Sequence, residues 1–259
     1  MYPYLWEEVL GYSVPMYNLM IAIGLFCMMV YVAWRFEKID GFSRIETNRL
    51  LIFIAISLGA ALLVSWLSDG IAHTIHEGEL AFGSITFLGG LIGGLVAFVL
   101  LVRFGYKEEK AKLPQILNTV IVGVVLAHAW GRIGCTMAGC CYGIETDSWL
   151  GMSFPSGASG NVPVYPTQLF EAIFLFIFFV VLHKVKLFRG KEFSIYLIGY
   201  GLWRFLIEFI RGDDRGEFLT FIHGATQDYP TPAQWFSLLM MMLGIVLLIR
   251  QAKKEKVHA

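Results

Sequence analysis

Charged residues are scarce in this chain, and their scarcity is the first evidence of its class. Only 15% of the 259 residues are Asp, Glu, Lys or Arg, whereas 57% are apolar and the mean hydropathy is +0.65. Ordinary soluble domains are nearer a quarter charged, so this composition predicts an integral membrane protein. The formal net charge is zero, which gives no electrostatic basis for a nucleic-acid partner.

Other common signals are missing too. The first apolar run has no charged segment before it and no small-residue cleavage site after it, so we expect a retained helix and not a signal peptide. No low-complexity tract, soluble domain or internal repeat is visible, and a single domain over 1–259 is expected. No metal and no cofactor is predicted.

Seven apolar stretches are long enough to cross about 30 Å of hydrocarbon as helices. They lie at 16–35, 50–68, 84–104, 116–134, 167–187, 193–211 and 234–250. The predicted fold class is therefore an all-α membrane protein with seven transmembrane helices. Lysine and arginine are concentrated after the first, third, fifth and seventh stretches. By the positive-inside rule, this alternation predicts a cytoplasmic C-terminus and an external N-terminus.

The longest external segment in this topology, at about 135–166, is entered through the sequence GRIGCTMAGCCYG at 131–143. Two of Cys135, Cys140 and Cys141 could form a structural disulfide in an oxidising exterior. A metal site is less expected, because the cysteines lack the CxxC spacing that is usual for zinc.

Charged side chains within the apolar stretches are the strongest candidates for a functional site, since they are costly in a membrane. Arg132 either reaches lipid phosphate at the interface or faces a polar site, and His128 lies one turn earlier on the same helical face. A second polar stripe follows helical spacing and consists of Tyr200, Arg204, Glu208 and Arg211. Two arginines on one side are suited to bind phosphate oxygens, although a purely structural salt bridge is the alternative for Glu208.

Two further polar or small-residue patterns begin predicted spans. Gly89 and Gly90 start a series of glycines with the spacing of close helix packing, which by itself explains most such patterns. Gln168 and Glu171 lie in the apolar start of the fifth span, where they serve either as a hydrogen-bonding brace or as substrate contacts. Together the residues predict an outward-facing site that handles a phospholipid.

These motifs resemble those of the bacterial phosphatidylglycerol:prolipoprotein diacylglyceryl transferase family, over nearly the whole chain. The family signature GRxGNFxNxExxG aligns with GRIGCTMAGCCYG, RFxxEFFR with WRFLIEFIR, and HPSQLYE with YPTQLFE. The matching residues are Arg132, Gly134, Gly143, Pro166, Gln168, Glu171, Arg204, Glu208 and Arg211, and Tyr17 is similar to an early functional tyrosine of the family. The chain departs from the family at Leu88, Cys135, Ala138, Cys140, Val164 and Tyr165.

The resemblance implies a multi-pass protein of the bacterial cytoplasmic membrane that moves a diacylglyceryl group from phosphatidylglycerol to the lipobox cysteine of a prolipoprotein. Arg132 and Arg204 would then hold the phosphate, with Glu208 orienting Arg204. His128 would serve as a base or as a stabiliser of a thiolate, and Cys140 is either a transient nucleophile or part of a structural disulfide. Three alternatives stay open: a transferase with another acceptor, a thiol oxidoreductase that uses Cys140 and Cys141, and an inactive lipid-binding protein.

Overall fold

The computed structural model describes residues 4, 14–77, 87–105, 110, 112–157, 159–212, 220–224 and 228–258. Helices dominate these residues: α1 (Met16–Lys38), α2 (Arg44–Glu77), α3 (Phe87–Gly105), α4 (Leu113–Ala138), α5 (Thr167–Lys184), α6 (Glu192–Ile207) and α7 (Pro232–His258). Two short antiparallel hairpins complete the described elements: β1 (Met152–Phe154) with β2 (Gly160–Val164), and β3 (Ile222–His223) with β4 (Asp228–Tyr229).

Six of the helices are long and apolar enough to cross a membrane, namely all but α3. The prediction of a mostly helical, multi-pass membrane protein is confirmed. The apolar part of α3 is shorter, at Gly89–Gly105, and residues 84–86 of the predicted third span lie outside the described residues. A membrane crossing by α3, which would bring the number of spans to seven, stays a prediction, and so does the orientation of the chain in the membrane.

Large apolar side chains project from several helices instead of being buried between them. Phe26 on α1, Ile177 on α5 and Leu239 on α7 are 70%, 59% and 58% exposed. Surfaces of this kind are unfavourable in water but are matched by lipid chains. The buried positions include many polar residues beside the apolar ones.

The chain forms two compact units. One contains Tyr31–Leu117, and in it α2 and α3 pack closely through glycine. A methyl group at Gly90 would lie 3.4 Å from the carbonyl oxygen of Ala61, and one at Gly93 would lie 2.5 Å from the side chain of Val64. The close-packing interpretation of these glycines is therefore correct for Gly90 and Gly93.

The other unit contains Met1–Val30 and Asn118–Ala259, and it holds most of the predicted site residues. Asn118 joins α4 to the turn before α6, because its amide nitrogen donates to the carbonyl of Gly190 at 2.7 Å and its amide oxygen accepts from the backbone of Phe193 at 2.8 Å. Helices α6 and α7 approach each other closely at Gly201, where an added methyl group would be 3.0 Å from the carbonyl oxygen of Ser237.

The start of α7 has the sequence TPAQ, which forms a capping box. The backbone N–H of Thr231 donates to Gln234 at 3.0 Å, and the backbone N–H of Gln234 donates to the hydroxyl of Thr231 at 3.3 Å. Pro232 occupies the first helical position, where its missing N–H leaves no hydrogen bond unmade. Thr231 is thereby fixed beside the end of α6.

The segment after α4 folds back on itself. The predicted loop begins at Gly139 and not near 135, because α4 continues to Ala138. Strands β1 and β2 pair within it, and the buried Phe154 stacks against Tyr142 with ring centroids 6.2 Å apart. This packing holds the cysteine-containing turn against the ends of α5 and α6.

Candidate active site

Glu171 on α5 is fully buried and is the centre of one polar cluster. The Nε atom of Arg132 lies 3.0 Å from its Oε2 atom, and the hydroxyl of Tyr200 donates to its Oε1 atom at 2.9 Å. His128 Nε2 is 3.6 Å from the same Oε1 atom. The spacing of four residues places His128 and Arg132 on one face of α4, as predicted, and the structure shows that this face meets α5 at Glu171.

His128 is held on two sides. Its ring meets the ring of Tyr200 edge-on, with centroids 5.3 Å apart, while Nε2 faces Glu171. Tyr200 is itself stacked on Tyr196 at 5.5 Å. The imidazole therefore has a defined orientation next to both the carboxylate and the guanidinium.

The second buried pair is formed within one turn at the end of α6. Arg204 Nη2 lies 2.7 Å from Glu208 Oε2, so the pairing expected from the spacing is present. The other carboxylate oxygen of Glu208 accepts from the hydroxyl of Thr231 at 3.0 Å. Glu208 is fully buried and is thus fixed from both α6 and the start of α7.

One nitrogen of this arginine has no hydrogen-bond partner among the described residues. Arg204 Nη1 is buried and has no hydrogen-bond partner within the described part of the chain. A buried N–H group without a partner is rare in folded proteins, and it marks a position where a substrate or water is expected. The carboxylate of Glu208 fixes the guanidinium with Nη2, which leaves Nη1 oriented and unmatched.

Arg211 does not continue the helical stripe that the sequence predicts. Helix α6 ends at Ile207, a 3-10 turn covers Glu208–Ile210, and Arg211 has an extended backbone with ψ of 141°. Its backbone instead pairs with Gly143 in an antiparallel bridge. The guanidinium group is almost fully buried, at 1% exposure.

Gly143 is needed for this pairing. Its N–H donates to the carbonyl of Tyr165 at 2.7 Å, and an added methyl group would collide with the carbonyl oxygen of Ile210 and lie 2.9 Å from Thr167. The glycine therefore permits close approach of three backbone segments. This contact accounts for Gly143 without any contact to substrate.

The three clustered cysteines are brought together by the way α4 ends. Gly139 adopts a left-handed conformation with φ of 69°, its N–H donates to the carbonyl of Thr136, and the N–H of Cys140 donates to the carbonyl of Cys135. This pair of hydrogen bonds defines a Schellman motif, in which the side chains at the positions of Cys135 and Cys140 normally touch. The helix end itself thus places one thiol on the other.

Cys141 completes the thiol cluster. Its φ is 65°, and among the described residues no other non-glycine residue has a positive φ. This backbone conformation is strained for a residue with a Cβ atom. The sulfur atoms of Cys135, Cys140 and Cys141 all lie within 4.8 Å of one another. All four cysteines of the chain are free thiols, so the structure holds no disulfide between them. We call these three residues the thiol cluster.

Cationic residues border the thiol cluster. Arg132 interacts electrostatically with Cys135 and Cys141, and Arg211 interacts with Cys141. Hydrogen bonds from the thiols of Cys135 and Cys140 lower the pKa of Cys141 far below the usual value for a thiol, and the two arginines act in the same direction. One negative charge in the thiol cluster is thereby favoured.

Tyr17 on α1 lies at the edge of the same region. A methyl group at Gly134 would be 3.2 Å from the carbonyl oxygen of Tyr17 and 3.3 Å from its ring, so this glycine lets α1 pack directly on α4. The phenol is 38% exposed and interacts electrostatically with Arg132 and all three clustered thiols. Tyr17, Arg132 and the thiol cluster therefore form one continuous surface.

Gln168 is the remaining predicted contact in this unit. It is fully buried, and neither its amide oxygen nor its amide nitrogen has a hydrogen-bond partner among the described residues. Gly89 and Gly90 lie at the start of α3 in the other unit. The side chain of Leu88, where the sequence departs from the family pattern, lies outside what is described.

Two features of the site were missed by reasoning from the sequence. Thr231, the partner of Glu208, was detectable because TPAQ before an apolar run is a capping-box signature. The thiol cluster was missed because the CxxC rule considers spacing alone. A glycine after a helix, with cysteines at the two positions that a Schellman motif joins, was the available signal.

The fold and the site together define a multi-pass membrane protein with two buried arginine–glutamate pairs next to a cluster of thiols. The model of the prolipoprotein diacylglyceryl transferase family matches residues 3–250. The chain belongs to that family.

Two of three named relatives are similar over nearly their full length. Phosphatidylglycerol–prolipoprotein diacylglyceryl transferase 2 of Clostridium perfringens is 30% identical over 250 residues, which cover 93% of this chain and 92% of the relative. The corresponding enzyme of Clostridium tetani is 31% identical over 249 residues, with 92% and 93% covered. That of Idiomarina loihiensis is 36% identical over 185 residues, with 70% and 63% covered.

Proposed function

We propose that this protein transfers the diacylglyceryl group of phosphatidylglycerol to an acceptor thiol, such as the lipobox cysteine of a prolipoprotein. Family membership and the names of the relatives support the reaction class. The structural observation that carries the proposal is Arg204, whose Nη2 atom is fixed by Glu208 while its buried Nη1 atom has no hydrogen-bond partner among the described residues. A phosphate oxygen supplies the acceptor that this nitrogen lacks.

Arg132 is proposed as the second ligand of the phosphate. Its ion pair with Glu171 uses Nε, on one edge of the planar group. A guanidinium has five N–H donors in all, so other donors of Arg132 can bind a phosphate oxygen. The side chain of Arg132 is 17% exposed and that of Arg204 is 11% exposed, so both are shielded but reachable. In such an environment, fixed cations stabilise charge that develops on a leaving phosphate.

The proposed reaction forms one bond and breaks one. The sulfur of the acceptor attacks the glyceryl carbon that carries the phosphate, and the bond between that carbon and the phosphate oxygen breaks with its electron pair passing to the oxygen. Glycerol phosphate departs, and the proton of the thiol passes to His128, which lies next to both Glu171 and Arg132. Tyr17 is proposed to border the path of the acceptor thiol.

Other predicted contacts fit the head group. The amide nitrogen and amide oxygen of Gln168 have no partners among the described residues, and such a donor and acceptor suit the hydroxyl groups of a glycerol head group. Tyr200 is proposed to act through Glu171, and Gly134 through the packing of Tyr17. For Gly89 and Gly90 we keep the proposal of a backbone contact to substrate.

The membrane arrangement is proposed from the sequence pattern. We propose a single seven-span domain in the bacterial cytoplasmic membrane, in which α3 crosses the membrane as well as the six other helices. The 19 residues of α3 at 1.5 Å each extend about 28 Å. The alternation of basic residues favours an external N-terminus and a site that opens toward the outer face. In this proposal, membrane phospholipids surround the protein and also supply its substrate.

The test is a transfer assay with conservative arginine variants. Arg204→Lys keeps the charge but loses the planar fork that binds phosphate bidentately, and we expect kcat to fall by about 100-fold or more. Arg35→Lys is the matched control, because Arg35 is also buried and paired, at 3.7 Å from Asp40, but lies in the other unit. Equal activity in the two variants would contradict the role of Arg204.

A second acceptor class is favoured by one observation. Cys135 and Cys140 of the thiol cluster occupy positions where the family signature has asparagine and glutamate, so the acceptor side of the site differs from the family pattern. Replacing the lipobox peptide by other thiols in the same assay separates a prolipoprotein acceptor from another thiol acceptor. Transfer to a small thiol but not to the peptide would identify a related transferase with another acceptor.

A further inference from the structure

The thiol cluster has the composition of a metal site. Three sulfur atoms lie within 4.8 Å of one another, and all three belong to free thiols. Among the described residues, the group contains no carboxylate or imidazole. Sets of cysteine thiolates select soft or borderline ions, above all Zn²⁺ and Cu(I), over Mg²⁺ or Ca²⁺.

The geometry is close to what zinc requires. Zinc–sulfur bonds of about 2.3 Å in a tetrahedron place the sulfur atoms about 3.8 Å apart, so the observed upper limit of 4.8 Å calls for only a small contraction. The backbone already supplies the approach, through the Schellman motif at Cys135 and Cys140 and the left-handed residue Cys141. Local strain of this kind is typical of functional positions.

Charge around the thiol cluster is complementary to a metal–thiolate group. Zn²⁺ with three thiolates has a net charge of minus one, and such a charge needs a counter-ion at membrane depth. Arg211 is almost fully buried and interacts with Cys141, while Arg132 interacts with Cys135 and Cys141. Two guanidinium groups are therefore in place to balance the complex.

We propose that Cys135, Cys140 and Cys141 bind a zinc ion whose fourth coordination position is open to the acceptor thiol. This inference deepens the proposed transferase function and rests on it for the identity of the fourth ligand. Zinc held by three protein ligands with an open position is the arrangement of catalytic rather than structural sites. The exposure of Cys140 and Cys141 is intermediate, which leaves the thiol cluster accessible from one side.

The ion would supply an activated nucleophile. A thiol that coordinates zinc loses its proton, and the released proton passes to His128 or to water. The coordinated sulfur then forms its bond to the glyceryl carbon, the carbon–oxygen bond breaks, and glycerol phosphate leaves. The resulting thioether is a weaker ligand than a thiolate and departs, so zinc is neither oxidised nor reduced.

The first experiment measures metal content and needs no activity. Protein purified in detergent under reducing conditions, with trace zinc, is expected to contain about one zinc per chain, and the bound zinc should show sulfur neighbours at about 2.3 Å by X-ray absorption. Cys140→Ala and Cys141→Ala should reduce the content at least tenfold. Cys27→Ala is the matched control, since Cys27 lies within α1 and outside the thiol cluster.

A further variant protects the test against misfolding. Cys140→His keeps a ligand that zinc accepts, so zinc content should return in this variant while Cys140→Ala stays empty. Cobalt substitution gives an independent readout, because thiolate ligation to Co²⁺ produces an intense charge-transfer band that the alanine variants should lack.

The outcomes separate this proposal from the proposed function. Zinc bound by the thiol cluster, with transfer lost on chelation and restored by zinc, would support both. Full transfer activity in protein that binds neither zinc nor cobalt would overturn the metal site and leave the transferase intact. Two missing thiols on titration, indicating a disulfide, would also overturn it. Zinc bound without transfer to any thiol would refute the activating role and the proposed function, but not the metal site.

Discussion

Two ion pairs of the described residues, one buried and one more exposed, give a sharp test of how the site is stabilised. Arg132 and Glu171 lie 3.0 Å apart, with 17% and 0% of their side chains exposed. Lys112 and Glu46 lie 2.8 Å apart, with 41% and 14% exposed. The separations are similar, so a difference in energy between the pairs must come from their surroundings.

Glu171→Gln removes the charge of the buried pair and keeps the shape of the side chain. Breaking a buried pair by removing one partner costs about 3–5 kcal/mol, because the remaining charge is left without compensation. The partial exposure of Arg132 favours the lower end, about 3 kcal/mol. Glu46→Gln should cost about 0–1 kcal/mol, and glutamine can still serve in the capping box that Glu46 forms with Ser43.

Thermal unfolding in detergent at one scan rate is the assay. For a chain of this size, 1 kcal/mol corresponds to about 2–4 °C in Tm, so Glu171→Gln should lower Tm by about 6–12 °C and Glu46→Gln by less than about 4 °C. Saturating phosphatidylglycerol should not rescue the Glu171 variant fully, since the guanidinium then lacks its fixed orientation. Equal shifts for the two variants would refute the argument that Glu171 neutralises a buried cation.

Three other predictions follow from single contacts. Gly143→Ala should reduce both the thermal stability and the transfer rate, because the added methyl group would collide with the carbonyl oxygen of Ile210. Gly131→Ala is the control: its methyl group would meet nothing within 4 Å, so Tm should rise slightly through better helix propensity. Thr231→Ala removes both a cap and a hydrogen bond to Glu208 and should lower the free energy of unfolding by about 1–2 kcal/mol, with Thr231→Ser restoring it in denaturant titration. In chelator-treated protein, the lowered pKa of Cys141 favours its thiolate, so iodoacetamide should label it faster below neutral pH than it labels free cysteine, as peptide mass analysis would show.

The sequence was sufficient for the helices and for contacts within one helix. Apolar runs that are long enough to cross a bilayer have few alternatives to helix, since every backbone group must be satisfied internally. Once the helix is predicted, residues four apart lie on one face, so the pair of Arg204 with Glu208 followed directly from helical geometry. The close-packing interpretation was also correct for Gly90 and Gly93 of α3.

Contacts between helices were harder to predict. Glu171 and Arg132 are on different helices, and no spacing rule connects residues on α5 with a face of α4. Arg211 appeared to continue a helical stripe, but the pairing of its backbone with Gly143 ended the helix first. Tertiary hydrogen bonds of this kind override local periodicity.

The thiol cluster shows what a rule based on spacing overlooks. Cys135 and Cys140 are separated by five residues, a distance at which side chains on a continuing helix are not neighbours. The left-handed turn at Gly139 ends the helix and folds Cys140 back on Cys135. The identity of the residue that ends the helix, and not the spacing of the cysteines alone, brings these thiols together.

The most direct test of the central claim is a mass measurement of both products. Purified protein is incubated under reducing conditions, in the presence of trace zinc, with a lipobox peptide and phosphatidylglycerol of one defined acyl composition. Our account predicts that the peptide gains the mass of one diacylglyceryl group on its cysteine, that glycerol phosphate appears in equal amount, and that both products are strongly reduced in Arg204→Lys but not in Arg35→Lys. An unmodified peptide and no glycerol phosphate, from protein that is folded and binds the lipid, would contradict it.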